Sequence, residues 1–325
     1  MENRQKARCA PAVQPSLNSL DGHQNSGNSR FMTGTHTNSP EEQIDELLKE
    51  SQTLMASCLL ETPLSFLSSE SKGLLANGKM LRSRLPFRIG PAAGTPRQTL
   101  LHAATAAEMI HSASLLHDDV IDGGLVRRGA PAFWVERGVS GAILLGDMLL
   151  FKALDIVCQV EESRLTHALV LFTGHVCQAE SEQELIHRGR HTTWSDCVRI
   201  ARFKTGSLFA FTAFAAGGRD ERLCAALQEA GYAVGTAYQL ADDILDAKGR
   251  QEVADKTLGT DSARDKTTVM TSLQEGQEPA AYVEDLCCSA RDLLAEWPDV
   301  QAAWDLYMEM DLLPELQKHL QLMNA

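Results

Sequence analysis

The chain has 325 residues and carries 30 Lys and Arg against 43 Asp and Glu, a formal charge of −13, with 44% hydrophobic and 6% aromatic residues. That is globular composition, enough for a substantial core in one large domain or two small ones, and its acidity excludes a dedicated nucleic-acid binder, which needs a basic face against phosphate. No uncharged apolar run approaches the ~18–20 residues of a membrane-spanning helix; the longest, Thr205 to Gly218, stops at 14.

Residues 1–40 are rich in Ser, Asn, Gln, Gly and Thr, with few large apolar residues and no periodicity. Such a stretch cannot bury enough surface to offset its conformational entropy, and a disordered N-terminal extension is expected. Basic residues Arg4, Lys6, Arg8 and Arg30 are interrupted by Glu2 and Asp21, and no apolar segment follows that would make a targeting peptide. Met32 offers an alternative start. One domain is expected over 41–325. It opens with Ser39 as an N-cap, Pro40 at the first helical position and Glu42 closing a capping box.

From there the chain reads as helix after helix. Helical runs are predicted for Thr99–Asp122, Ala142–Val160, Leu165–Leu185, Trp194–Phe214, Arg222–Leu245 and Tyr282–Trp297, with Gly, Pro and Asp between them. Alternating strand patterns are nearly absent, and no glycine-rich nucleotide loop or internal repeat appears. The fold class is all-α. Eight cysteines stand at 9, 58, 158, 177, 197, 224, 287 and 288, without a C-x-x-C pair or zinc-like spacing. They read as small buried thiols of a reducing compartment, the cytoplasm by default.

Chemistry enters at Asp118-Asp119-Val120-Ile121-Asp122, which closes the long apolar helix. Positions i and i+4 share a face, so Asp118 and Asp122 project together with Asp119 beside them. Carboxylates at a helix C-terminus repel one another and oppose the macrodipole, so a compensating cation is expected. Hard oxygens without His or Cys point to Mg²⁺, which commonly bridges to phosphate. One D-D-x-x-D arises by chance in roughly one chain of this length in fifteen. Here Asp242-Asp243-Ile244-Leu245-Asp246 repeats it 124 residues later, again closing an apolar helix. Two such helices facing one another would form a carboxylate-lined mouth for metal ions and a diphosphate.

Basic residues stand in order around both clusters. Gly78-Lys79-Met80-Leu81-Arg82 precedes the first on a helix of its own, with Lys79 and Arg82 three apart on one face. Arg127-Arg128-Gly129 follows the first cluster, and Lys256 and Lys266 follow the second. Arg forks and Lys point charges are how proteins hold phosphate oxygens.

On the strings GKMLR, EMIHSASLLHDDVIDGGLVRRG, GDMLL, RFKTGSLF, YQLADDILD and KTLGTDSARDKTT, the chain from about residue 45 to 270 resembles the trans-isoprenyl diphosphate synthases, or polyprenyl synthetases. Terpene cyclases share an aspartate-rich helix on a similar fold but lack the RRG, the Lys-Thr motif and this second D-D-x-x-D. The resemblance implies an isoprenoid synthase fold of about ten core helices around a central cavity, as a homodimer. It implies that Asp118, Asp119, Asp122, Asp242, Asp243 and Asp246 ligate about three Mg²⁺. Lys79, Arg82, His111 and Arg128 would then clamp isopentenyl diphosphate. Arg127, Lys204, Lys256 and Lys266 would hold the allylic diphosphate. Lys204, Thr205, Tyr238 and Gln239 would turn dipoles toward an allylic cation.

Product length is implied by the residues five and four before Asp118. Ala113 and Ser114 are small where bulky aromatics would make a tunnel floor, which favours a medium- or long-chain product of octaprenyl type. Phe172 would be either a deeper floor or an ordinary core residue. Three positions depart from the family pattern: Ser83 stands for the usual Pro, Asn77 for the usual Gly, and Gln178-Ala179-Glu180-Ser181-Glu182-Gln183 for Glu-Gly-Glu-x-x-Gln. Beyond about residue 275 no family signature is visible. The rival readings are a farnesyl or geranylgeranyl diphosphate synthase and a non-catalytic prenyl-binding partner subunit on the same fold.

Overall fold

A computed structural model describes residues 39–60, 62, 78–160, 162–247, 268, 270, 272 and 278–320. It contains eleven α-helices and one two-stranded ribbon among these residues, so the all-α expectation holds. The predicted capping box forms at the first helix, α1 (Pro40–Leu60). Ser39 N–H donates to Glu42 Oε2 at 2.7 Å and Glu42 N–H to Ser39 Oγ at 3.3 Å.

Next come α2 (Leu81–Ile89) and α3 (Arg97–Ile121). Lys79 and Arg82 do not share a helix face as expected, because α2 begins only at Leu81, after Met80 at φ 49°. The long Ala- and Leu-rich α3 is buried along most of its length. Beyond it, β1 (Val126–Arg127) pairs antiparallel with β2 (Ala130–Pro131), Val126 opposite Pro131 and Arg127 opposite Ala130. The connecting residues, Arg128 and Gly129, have φ of 51° and 76°. Such a turn matches the twist of a tight hairpin, at the cost of holding an arginine in the left-handed region.

Helix α4 (Phe133–Cys158) starts earlier than predicted, with non-helical backbone at Gly138. Helix α5 (Ser163–Glu182) ends in a π turn, Gln183–His187. The run expected as one helix from Trp194 to Phe214 is two, α6 (Trp194–Lys204) and α7 (Gly206–Ala216), parted at Thr205. Helix α8 (Glu221–Ala247) explains the break. Its Gly231 and Gly235 face Ala210 and Gly206 so closely that an added Cβ would fall 2.7 Å from Ala210 Cα and 2.6 Å from Gly206 Cα. The two backbones touch at these small residues, and α7 is set by α8 rather than by α6.

The chain ends with α9 (Pro279–Asp292), α10 (Pro298–Tyr307), a π segment Met308–Leu312 and α11 (Leu313–Leu320). This end is fastened to α2. Arg88 Nε donates to Asp311 Oδ2 at 2.6 Å and Arg84 Nη1 to Asp311 Oδ1 at 3.2 Å, while Arg88 also grips Glu41 of α1. Tyr307 Oη donates to the Leu81 carbonyl at 3.2 Å. One apolar core joins α1, α2, α7, α8 and the C-terminal helices, with Trp304 and Tyr307 fully buried in it. A second joins α3, α4, α5 and α7. Among the described residues no helix is long and apolar enough to cross a membrane.

Candidate active site

A cavity of about 550 Å³ opens between α3, α5, α6, α7 and α8. On one wall Asp118, Asp119 and Asp122 line it from the end of α3; on another, Asp242 and Asp243 line it from α8. Asp246, one turn further along α8, is buried at 5% exposure and is not part of the lining. Lys256 and Lys266 lie outside the described residues.

The break between α6 and α7 delivers Lys204 and Thr205 to the same cavity. Lys204 Nζ donates to Gln183 Oε1 at 3.0 Å and pairs with Glu180. Burial disfavours its ammonium form, but Asp118, Glu180 and Asp122 outweigh that and hold it charged. Thr205 Oγ1 donates to Gln239 Oε1 at 2.5 Å, and Gln239 Nε2 donates to Asp243 Oδ1 at 2.8 Å. These bonds fix the amide orientation of Gln239 and tie the Lys-Thr break to the second aspartate cluster.

The expected anion clamp gathers around the start of α2. Lys79, Arg82, His111, Arg127 and Arg128 all line the cavity. Gly78 lies close beside them, since a Cβ there would meet Arg128 Nη2 at 3.1 Å and push that guanidinium aside. Arg127 Nε donates to Asp119 Oδ1 at 3.1 Å, with Nη2 on the same oxygen, so the ribbon is tied back onto α3. Burial, with Arg82, Arg128 and Arg127 close by, keeps His111 well below the usual imidazole range, which makes it a neutral hydrogen-bonding group here. Glu108, beneath Arg82 and Arg128, accepts from Ser83 Oγ at 3.1 Å, and burial raises its pKa against the pull of those arginines. Ser83, in place of the usual Pro, thus has a buried partner.

At the tunnel the structure corrects the expectation for Ala113 and selects the core reading of Phe172. Ser114 lines the cavity but Ala113 does not; it is fully buried in the core that includes Leu145 and Leu149 of α4. One residue along a helix is a turn of ~100°, so the position four before Asp118 shares its face and the position five before rotates away. Phe172 is a core residue, 2% exposed against Phe211, Phe214 and Tyr232 at ring distances of 6.2, 6.4 and 5.7 Å. Its neighbour Thr173 lines the cavity instead, one face with Val176, Cys177 and Glu180.

Several site residues carried no role in the sequence reading. Glu180 is the working acid of its stretch, and its i, i+3 spacing to Gln183 was the signal available. From the C-terminal helix, His319 lines the cavity and Glu315 pairs with Lys79 at 2.6 Å.

Among the described residues no three carboxylate, His or Cys side chains close on one point. The donors on the two walls are all hard carboxylate oxygens, a set that fits Mg²⁺ ions sharing their coordination with a bridging diphosphate and water.

Comparison with known proteins places the chain in a family. The Polyprenyl synthetase family model matches residues 65–289. A geranylgeranyl diphosphate synthase of Methanosarcina mazei is 32% identical over 203 residues, covering 60% of this chain and 63% of that protein. An octaprenyl diphosphate synthase of Haemophilus influenzae is 32% identical over 195 residues, 59% of each chain. A farnesyl diphosphate synthase of Geobacillus stearothermophilus is 30% identical over 261 residues, covering 74% of this chain and 88% of that one. The chain therefore spans about three fifths of the length of the first two relatives. A polyprenyl synthase from Caulobacter crescentus, solved with calcium and isoprenyl diphosphate, shares the fold at TM-score 0.66 and 23% identity, over 87% of this chain and 95% of that one. Because residues 65–289 bring both aspartate clusters and the lysine-threonine break inside that one match, the chain belongs to the polyprenyl synthetase family.

Proposed function

We propose that this protein is a Mg²⁺-dependent prenyltransferase that condenses isopentenyl diphosphate head-to-tail with an allylic diphosphate. One observation carries the reading: Asp118, Asp119 and Asp122 at the end of α3 and Asp242 and Asp243 of α8 line one cavity together with Lys204 and Thr205. About three Mg²⁺, when bound, neutralise the diphosphate and stabilise the charge that develops as the allylic C–O bond breaks. Asp118, Asp119, Asp122, Asp242, Asp243 and Asp246 are the residues to hold them. Lys204 and Arg127, with Lys256 and Lys266, position the allylic diphosphate. Lys79, Arg82, His111 and Arg128 position the isopentenyl head group. The oxygens of Thr205, Tyr238 and Gln239 face the allylic carbons and favour positive charge there.

Product length follows from the wall below the aspartates. Ser114 is small, and the lining continues to Ile110, Leu150, Thr173 and Leu208, which supports a medium- or long-chain product. The alternative is a farnesyl or geranylgeranyl synthase whose floor is this Ile110–Thr173 level, and relatives of both kinds share similar identity with the chain. The proposed assembly is a homodimer. Leu144 and Phe151 on α4 and Val170 and Leu171 on the adjacent α5 expose apolar side chains of the kind a second copy would cover. A cytoplasmic location is part of the same proposal.

The test uses purified protein, Mg²⁺, labelled isopentenyl diphosphate and farnesyl diphosphate, with dephosphorylated products separated by length. A ladder ending well beyond geranylgeranyl is expected. Product stopping at geranylgeranyl keeps the reaction but refutes the long tunnel. No incorporation with farnesyl, geranyl or dimethylallyl primers refutes the function and favours the silent partner subunit.

A further inference from the structure

Helix α11 packs on α8 and brings two side chains to the head-group end of the cavity. Glu315 and His319 are one turn apart on a common face. Glu315 Oε2 lies 2.6 Å from Lys79 Nζ, and its Oε1 accepts from Lys318 Nζ at 2.6 Å. His319 lines the cavity and lays its ring against Tyr238, with centroids 5.6 Å apart. The Glu315 side chain is only 12% exposed, whereas Lys79 and Lys318 are 39% and 57% exposed. Four residues earlier Asp311, 4% exposed, is gripped by Arg84 and Arg88. The helix that carries Glu315 is therefore anchored to the same α2 that follows Lys79. Burial pushes the Glu315 carboxyl up, but hydrogen bonds from Lys318 and Lys79 outweigh it, and the group is ionised at neutral pH.

We propose that Glu315 is an internal counter-anion of the isopentenyl diphosphate subsite: it occupies Lys79 until a diphosphate displaces it, and this competition sets how tightly the head group is held. The inference rests on the reading of Lys79 as part of the head-group clamp. A diphosphate engages Lys79 together with Arg82 and Arg128, and so outcompetes one carboxylate; a monophosphate presents fewer oxygens and less charge to the same three cations. Once Lys79 turns away, Lys318 keeps Glu315 paired, which makes the exchange possible without stranding a half-buried charge. The pair sits at the edge of the cavity, so the effect is modest and falls on substrate binding rather than on bond breaking.

The test is steady-state kinetics of the full chain, with isopentenyl diphosphate varied at saturating allylic diphosphate and Mg²⁺. Glu315→Gln keeps the shape and removes the charge. Its KM for isopentenyl diphosphate is expected to fall about fivefold, with kcat within about twofold and the allylic KM unmoved. Isopentenyl monophosphate, added as inhibitor, should gain no more than the diphosphate does, because it recruits Lys79 less fully. Lys318→Gln, which removes the alternative partner, should move the isopentenyl KM the other way. A Glu315→Gln KM that is unchanged or raised in an active, folded enzyme overturns this inference alone. Absence of condensation by the wild-type chain overturns the head-group reading, and the inference with it.

Discussion

Burial disfavours the charged form of Lys204, yet Asp118, Glu180 and Asp122 outweigh it and hold the ammonium charged. The same three carboxylates come from two helices, so one ammonium balances both α3 and α5 at the rim of the cavity. Replacing it by glutamine leaves a half-buried acidic cluster without this cation. For Lys204→Gln we expect kcat/KM for the allylic diphosphate to fall about 100-fold, and a rate within a few-fold of wild type would refute its role. The aspartates were legible in the sequence because residue type, spacing and helical periodicity coincide there, whereas Lys204 was marked only by the family resemblance. Ala113 was misread because a single residue turns a helical side chain by ~100° onto the packed face. Glu180 carries only its i, i+3 spacing to Gln183 as a sign of its role, in a stretch that departs from the family pattern at Gln178.

The placement of α7 against α8 depends on atoms that are missing. A Cβ on Gly235 would lie 2.6 Å from Gly206 Cα and 2.9 Å from Phe209 Cδ2. Neither neighbour yields without moving backbone or a buried ring. Gly235→Ala should therefore destabilise the protein by about 1–3 kcal/mol and also lengthen the bonds from Thr205 to Gln239 and from Gln239 to Asp243. Gly174→Ala, on the exposed face of α5 with nothing within 4 Å of the added carbon, should be neutral or stabilise by about 0.5–1 kcal/mol. Thermal unfolding of the two variants decides the matter: equal effects would contradict the close-contact account. The sequence showed most helices but merged α6 with α7, since no proline or run of turn residues separates them and Thr205-Gly206 alone does not force a break. The cause of the break sits on a partner helix some 25 residues later, where a single-chain pattern carries no trace of it.

Across the whole molecule, the C-terminal region carries no recognisable motif, yet it closes the fold through Asp311 and reaches the cavity through Glu315 and His319. Arg88 and Asp311 are 223 positions apart. Periodicity reports which face of a helix is apolar, not which distant charge will meet it, so these pairings were invisible before the fold was known. Of what was visible, the structure brings Asp118, Asp119, Asp122, Asp242 and Asp243 to one cavity with Lys79, Arg82, Arg127, Arg128 and Lys204, while Asp246 lies buried outside its lining. The most direct test of that assembly is pyrophosphate release by the wild-type chain and by Asp118→Asn and Asp242→Asn, with each substrate alone and with both together, at varied Mg²⁺. The account predicts release only when isopentenyl and allylic diphosphates are both present with Mg²⁺, and a loss of about 100-fold or more in each variant. Release from the allylic diphosphate alone, or either variant turning over like wild type, would contradict it.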